Sequence, residues 1–153
     1  MDIIKKTADL TNQLIAINND RQAWYAKALE ELTGIENLDL KSILEELLEQ
    51  AKKFAKELNP FVVINGQEPA TNTTVSGKFQ LFWADVKSTL ARLKRKQLLV
   101  ECEQIESTTR ELYKKVLDHA PHLSDKLVTV LQTQAEIQHM SYEKIHSVKE
   151  RCF

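Results

Sequence analysis

Two Glu-x-x-His pairs, Glu136/His139 and Glu143/His146, are the first residues whose spacing suggests chemistry. Residues three apart on a helix share a face, and such pairs supply ligands to dinuclear metal centres in helical bundles. Those centres also need a glutamate from each of two helices and a Glu-x-x-His on each of the other two. Here both pairs crowd onto one C-terminal stretch, and the other histidines are His119 and His122. At about 100° per residue, the pairs point roughly opposite the apolar seam of their own segment, toward solvent. His139 and Glu143 can hold adventitious Zn²⁺, but two ligands do not make a site. The expectation is that no dinuclear metal centre and no cofactor sit inside the fold.

Carboxylates offer a second route. Glu103 and Glu106 share a helix face, Glu106 flanks an apolar seam, and Tyr113 lies two turns on near the same side. Glu106, with Glu103 second, is the metal candidate: a partly buried carboxylate that binds a cation. The other reading is an ion pair, for example with Arg21, which falls on a seam position of the first helix. A buried Arg–Glu pair specifies register more than it stabilises. The sequence alone allows both. Nucleophilic catalysis has no support, because Gly-x-Ser-x-Gly and phosphate-cradling glycine loops are absent. The basic run Arg92, Lys94, Arg95, Lys96 reads as a solvated helix end. Phe79, Phe82 and Trp83 read as core, and a small-ligand pocket near Trp24, Tyr25 and Trp83 is a third reading.

The elements that position these residues are legible from their punctuation. The chain has 153 residues, 42% apolar and 28% charged, with a formal net charge of −1. That composition suits a globular fold and gives no excess charge for nucleic acid or an anionic membrane. Three glycines and three prolines leave four long breaker-free stretches, which read as helices. The seams recur at three- and four-residue steps: Leu10, Leu14, Ile17, Arg21, Trp24; Leu40, Leu44, Leu47, Ala51, Phe54; Leu98, Cys102, Ile105, Thr109, Leu112; Leu127, Leu131, Gln134, Gln138. The spacing predicts helices over about 2–33, 38–64, 76–93, 97–119 and 124–150. Asp2 and Ser124 are expected caps, Gly34 an expected C-terminal stop, and Pro60 a kink. A break is expected at Lys94–Lys96, where the apolar pattern loses register. The first and last pairs of long helices form antiparallel hairpins. The connection of about thirty residues between them is long enough to run back along the bundle, so the second and third long helices are parallel. The whole chain, 1–153, is read as one all-α domain with ferritin-like connectivity.

Particular segments carry a family resemblance. They are Asn19-Asp20 through Trp24-Tyr25 to Glu30, Phe54-Ala55-Lys56-Glu57-Leu58, Ser76-Gly77 with Trp83-Ala84-Asp85-Val86-Lys87, and Leu99 to Glu106 with Tyr113 seven residues later. With these the chain resembles an uncharacterised bacterial ferritin-like four-helix-bundle family of conserved hypothetical proteins. It departs from the family at Lys94-Arg95-Lys96 and at Tyr142-Glu143. The resemblance implies the bundle and no established activity.

Two cysteines at unrelated positions, and an N-terminus without a leader-like apolar stretch, fit a cytoplasmic protein. The functional expectation is a non-enzymatic bundle acting through protein association, either self-association or an unknown protein partner, with no nucleic acid and no membrane. The alternative is a metal-binding or oxidase-type ferritin relative with a degenerate site.

Overall fold

The computed structural model describes residues 3–32, 34–70 and 95–152, apart from the Cys152 side chain. Four long helices carry the fold: α1 (Ile3–Glu31), α2 (Leu38–Val63), α3 (Arg95–Leu117) and α4 (Asp125–Cys152). Single 3₁₀ turns, Ile35–Asn37 and Ala120–His122, make the α1–α2 and α3–α4 connections. Such short links force antiparallel neighbours, and those two pairs pack most extensively. Among the described residues there is no strand and no helix long and apolar enough to cross a membrane.

Two apolar clusters fix the helix directions. One joins Trp24 and Ala28 near the end of α1 to Leu40 and Leu44 near the start of α2, Leu98 and Cys102 near the start of α3, and Val148 near the end of α4. The other joins Leu10, Leu58, Val62, Val116 and Leu127 at the opposite end. Thus α2 and α3 run parallel. The chain leaves α2 at one end of the bundle and enters α3 at the other, the single-crossover connectivity of ferritin-like bundles. The Arg95 guanidinium makes a forked pair with Asp39, so the first turns of α3 and α2 lie at the same end.

Local chemistry explains most helix ends. Ser124 Oγ accepts the Leu127 N–H at 3.2 Å, the expected cap of α4. Helix α2 continues through Pro60 to Val63, then stops in a Schellman turn. Gly66 takes φ 76°, its N–H donates to Val63 O, and the Gln67 N–H donates to Val62 O. Helix α1 ends at Glu31, before the expected stop; Gly34, at φ 95° and ψ 146°, instead precedes the 3₁₀ turn. Arg95 and Lys96 are already helical, two residues before the expected start at 97, and Arg95 pairs with Asp39. The expected Asp2 cap, the helix over 76–93 with Phe79, Phe82 and Trp83, and Lys94 lie outside the described residues.

The seam of α3 is wider than the expected one. Leu98, Cys102, Ile105 and Thr109 are buried as expected, while Leu112 is only half-buried. Leu99, Glu106, Tyr113 and Val116 are fully buried beside them. The polar partners of Glu106 and Tyr113 let this second stripe be buried.

Candidate functional site

Halfway along the bundle, between the two apolar clusters, the inward positions turn polar. Asn18 and Arg21 come from α1, Gln50 from α2, Glu106 and Tyr113 from α3, and Gln134 and Gln138 from α4. A bare charge here would cost several kcal/mol in lost hydration, on the order of the whole stability margin of a domain. Each charged group is therefore held by several partners.

Arg21 is 0% exposed. Its Nε donates to Glu106 Oε2 at 3.1 Å and one terminal nitrogen donates to Glu106 Oε1 at 3.0 Å, a bidentate pair. That same nitrogen donates to Gln50 Oε1 at 2.7 Å, and the other donates to Asn18 Oδ1 at 2.8 Å. The cation also lies 5.8 Å from the centroid of the Phe54 ring. Burial works against the charged guanidinium, but the adjacent Glu106 carboxylate outweighs it, and the pKa is raised. Arg21 is a permanent cation.

Glu106 is equally buried. Its Oε2 accepts from Arg21 and from the Tyr25 hydroxyl, and its Oε1 accepts from Arg21 and from Gln138 Nε2 at 3.1 Å. A carboxylate has about four lone-pair sites, and protein donors take them all. Burial, and then the Glu106 charge, push the Tyr25 phenol well above its ordinary range, so it remains a donor. Burial likewise raises the Cys102 thiol, with Glu106 adding to the effect, which leaves it an inert core thiol.

The network extends in both directions. Asn18 donates to the Tyr113 hydroxyl at 3.0 Å, and Tyr113 donates to Gln134 Oε1 at 2.7 Å. Gln134 Nε2 donates to Glu57 Oε1 and to the Phe54 carbonyl. On the other side Gln50 Nε2 donates to Ser141 Oγ at 2.8 Å. All four helices are thereby joined through one polar layer.

The residues singled out by spacing separate into two places. Glu106 sits at the centre of the layer rather than flanking it, against Arg21. Glu103 lies apart, on the α3–α4 edge, where it accepts from Lys149 Nζ at 2.6 Å and contacts His146 Nδ1 at 2.7 Å. His146, half-exposed, reaches across to α3 and stacks beside Tyr142, which Arg110 covers at 4.2 Å. His139 and Glu143 remain half-exposed on α4, 3.5 Å apart. Trp24 and Tyr25 fill core rather than line a pocket, packed edge to face at 5.6 Å. Among the described residues no three His, Cys, Asp or Glu side chains converge as a metal would require. Gln50, Gln134 and Gln138 had weak signals as site residues, since only their polar breaks in an apolar seam marked them.

The dinuclear metal centre of ferritin-like bundles does not fit these residues. It requires carboxylates from four helices and two imidazoles. Among the described residues this layer holds one carboxylate, Glu106, with one guanidinium and several amides and phenols; Asp20 is the other buried carboxylate, and no histidine is buried with either. The guanidinium stands at the carboxylate, and no lone pair of Glu106 is left for a metal.

The ion pairs at the edge of this frame tie its stability to acid. Desolvation raises the Glu103 pKa, but hydrogen bonds from Lys149 and His146 outweigh it, and the net shift is downward. The Arg95 hydrogen bonds hold Asp39 at about 2. A carboxylate lowered in the folded state contributes stability above its unfolded pKa and loses it as pH falls through the folded value. Urea unfolding of Glu103→Gln is therefore expected to show about 1 kcal/mol less stability near neutrality. The gap to wild type should close as pH falls below about 4. An unchanged gap across that range would detach Glu103 from the acid response.

Comparison with known proteins agrees with this architecture. A solved point mutant of Mycobacterium smegmatis Dps1 superposes with a TM-score of 0.78 over 96% of this chain and 97% of that one, at 12% sequence identity. The likeness is one of fold. No curated protein matches the chain. The sequence profile described as "Domain of unknown function (DUF2383)" matches residues 6–119, from the first turn of α1 past the end of α3. That span includes Arg21, Tyr25, Gln50 and Glu106, and the chain belongs to this DUF2383 family of ferritin-like four-helix bundles.

Proposed function

We propose that this chain is a cytoplasmic, non-enzymatic ferritin-like bundle, one domain over 1–153, that acts through protein association. One observation carries the reading: at the bundle centre the Glu106 lone pairs are taken by Arg21, Tyr25 and Gln138. The one carboxylate of this layer is closed by protein donors, and the Tyr25 phenol and Cys102 thiol beside it are held protonated by burial. Function then belongs to the outer faces of the helices. The competing reading is a metal-binding or oxidase-type relative with a degenerate site, in which Glu106 and Glu103 would supply the oxygens.

The test is metal content of full-length protein purified without chelator and then exposed to Fe²⁺ in air. The expected result is far less than one bound metal per chain and no acceleration of iron oxidation. Retention of about two irons per chain, the stoichiometry of paired-metal sites, would overturn the reading and favour its competitor.

A further inference from the structure

We propose, resting on the association reading, that the outward face of α2 and α4 is a self-complementary interface that pairs two copies of this chain. Two observations meet there. A groove of about 530 Å³ lies between the two helices, with Gln50, Phe54 and Ile137 among its lining. Beside it Met140 is 66% exposed, three residues along α4 from Ile137 and on the same side of the helix. This strip is apolar where the rest of the α4 surface is not.

The second observation is the order of charge along α2. Glu45, Glu46 and Glu49 are exposed, and so are Lys52, Lys53 and Lys56 one to two turns on. The stripe is acidic in one half and basic in the other, with Gln50 between. A two-fold interface brings a surface against itself reversed. With the axis between residues 50 and 51, Glu45 of one copy meets Lys56 of the other, and Glu49 meets Lys52. The existing pairs on this face, Lys52 with Glu49 at 3.3 Å and Lys144 with Glu46 at 3.2 Å, are exposed and so weakly held. They exchange partners at little cost.

Area selects this face over the apolar end of the bundle, where Ile3, Ile4 and Ile64 are exposed. A stable pair buries about 800 Å² per partner. Two adjacent helices of 26 and 28 residues, each about 10 Å wide and roughly 40 Å long, offer an area of that order. The end offers about half as much. The α2–α4 face is also clear of the described start of the crossover. Asn12 and Asn19 on α1 hydrogen-bond residues 68 and 70, and α1 packs against α2 and α3 rather than against α4.

Sedimentation of the full chain tests the pairing by charge exchange. Wild type is expected at twice the 17.6 kDa chain mass at micromolar concentration. Glu45→Lys with Glu49→Lys leaves lysine at all four paired positions, and Lys52→Glu with Lys56→Glu leaves glutamate at all four. Each variant should sediment as a monomer, at least about a hundredfold weaker in self-association, because like charges now face each other. All four positions are exposed, so helical circular dichroism should not change. Mixed together, the two variants should re-form a dimer. A monomeric wild type, a dimer that survives either reversal, or a mixture that stays monomeric overturns the interface. These results are independent of the metal assay: iron bound to an intact dimer would defeat the association reading and leave the interface standing.

Discussion

Replacing Arg21 with methionine is expected to destabilise the bundle by about 3–5 kcal/mol, the cost of breaking a fully buried ion pair from one side. Methionine matches the aliphatic part of arginine, so packing is largely kept and the electrostatic loss dominates. The substitution strands three acceptors at once: Glu106, Gln50 Oε1 and Asn18 Oδ1. An orphaned buried carboxylate is the largest of these penalties, and the group escapes it by taking up a proton. The variant should therefore recover part of its loss as pH falls. Adding Glu106→Gln removes the orphaned charge while its amide oxygen still accepts from Tyr25. The double variant should thus be more stable than Arg21→Met alone. Urea titrations of the three proteins with wild type form a double-mutant cycle. A coupling near zero would show that the pair does not hold the centre together.

Much of this was legible in the sequence, and particular residues show where legibility stops. Helix extents followed from breaker spacing, because glycine and proline are few and each stands near an element end or in the crossover. The helix is expected to continue through Pro60 and does, to Val63, losing only the one bond that the residue 60 N–H would make back to residue 56. The parallel course of α2 and α3 followed from connection length. The full width of the α3 seam did not. Leu98-Cys102-Ile105 and Leu99-Cys102-Glu106 are both sound apolar stripes, and a glutamate in a seam looks like an error until its partner is found. That partner, Arg21, is 85 residues away in sequence. The sequence offers that ion pair as one of two readings, and only the tertiary fork decides for it. The partner of His146 was hidden for the same reason. A wheel drawn on α4 alone cannot show that Glu103 and Lys149 meet it at the α3–α4 edge.

The polar layer also explains how so mixed a seam can define one structure. Apolar side chains tolerate sliding, and a helix shifted by one turn still buries leucines. A forked guanidinium–carboxylate pair does not tolerate it, since a shift of about 5.4 Å separates donor from acceptor entirely. The apolar clusters on either side supply most of the burial energy. The layer between them selects the register in which that energy is collected.

Phe54 is where these two roles meet, and its truncation is the second large effect expected. The ring is 1% exposed. One side faces the Arg21 guanidinium at 5.8 Å, and Tyr113 packs against it edge-on with centroids 6.3 Å apart. Phe54→Ala removes a full aromatic ring from a packed site, which costs about 3–5 kcal/mol. It also removes the cover of the centre, because Phe54 lines the α2–α4 groove on the solvent side of Arg21. Water admitted through that opening weakens the bidentate pair by raising the local dielectric. Phe54→Leu keeps most of the volume and should cost no more than about 1.5 kcal/mol. If cavity alone mattered, Phe54→Ala and Arg21→Met would add in the double variant. If the ring also shields the pair, the double variant should lose less than the sum, since an absent pair cannot be weakened further. Chemical denaturation of the three variants decides between these outcomes, and simple additivity would confine Phe54 to packing.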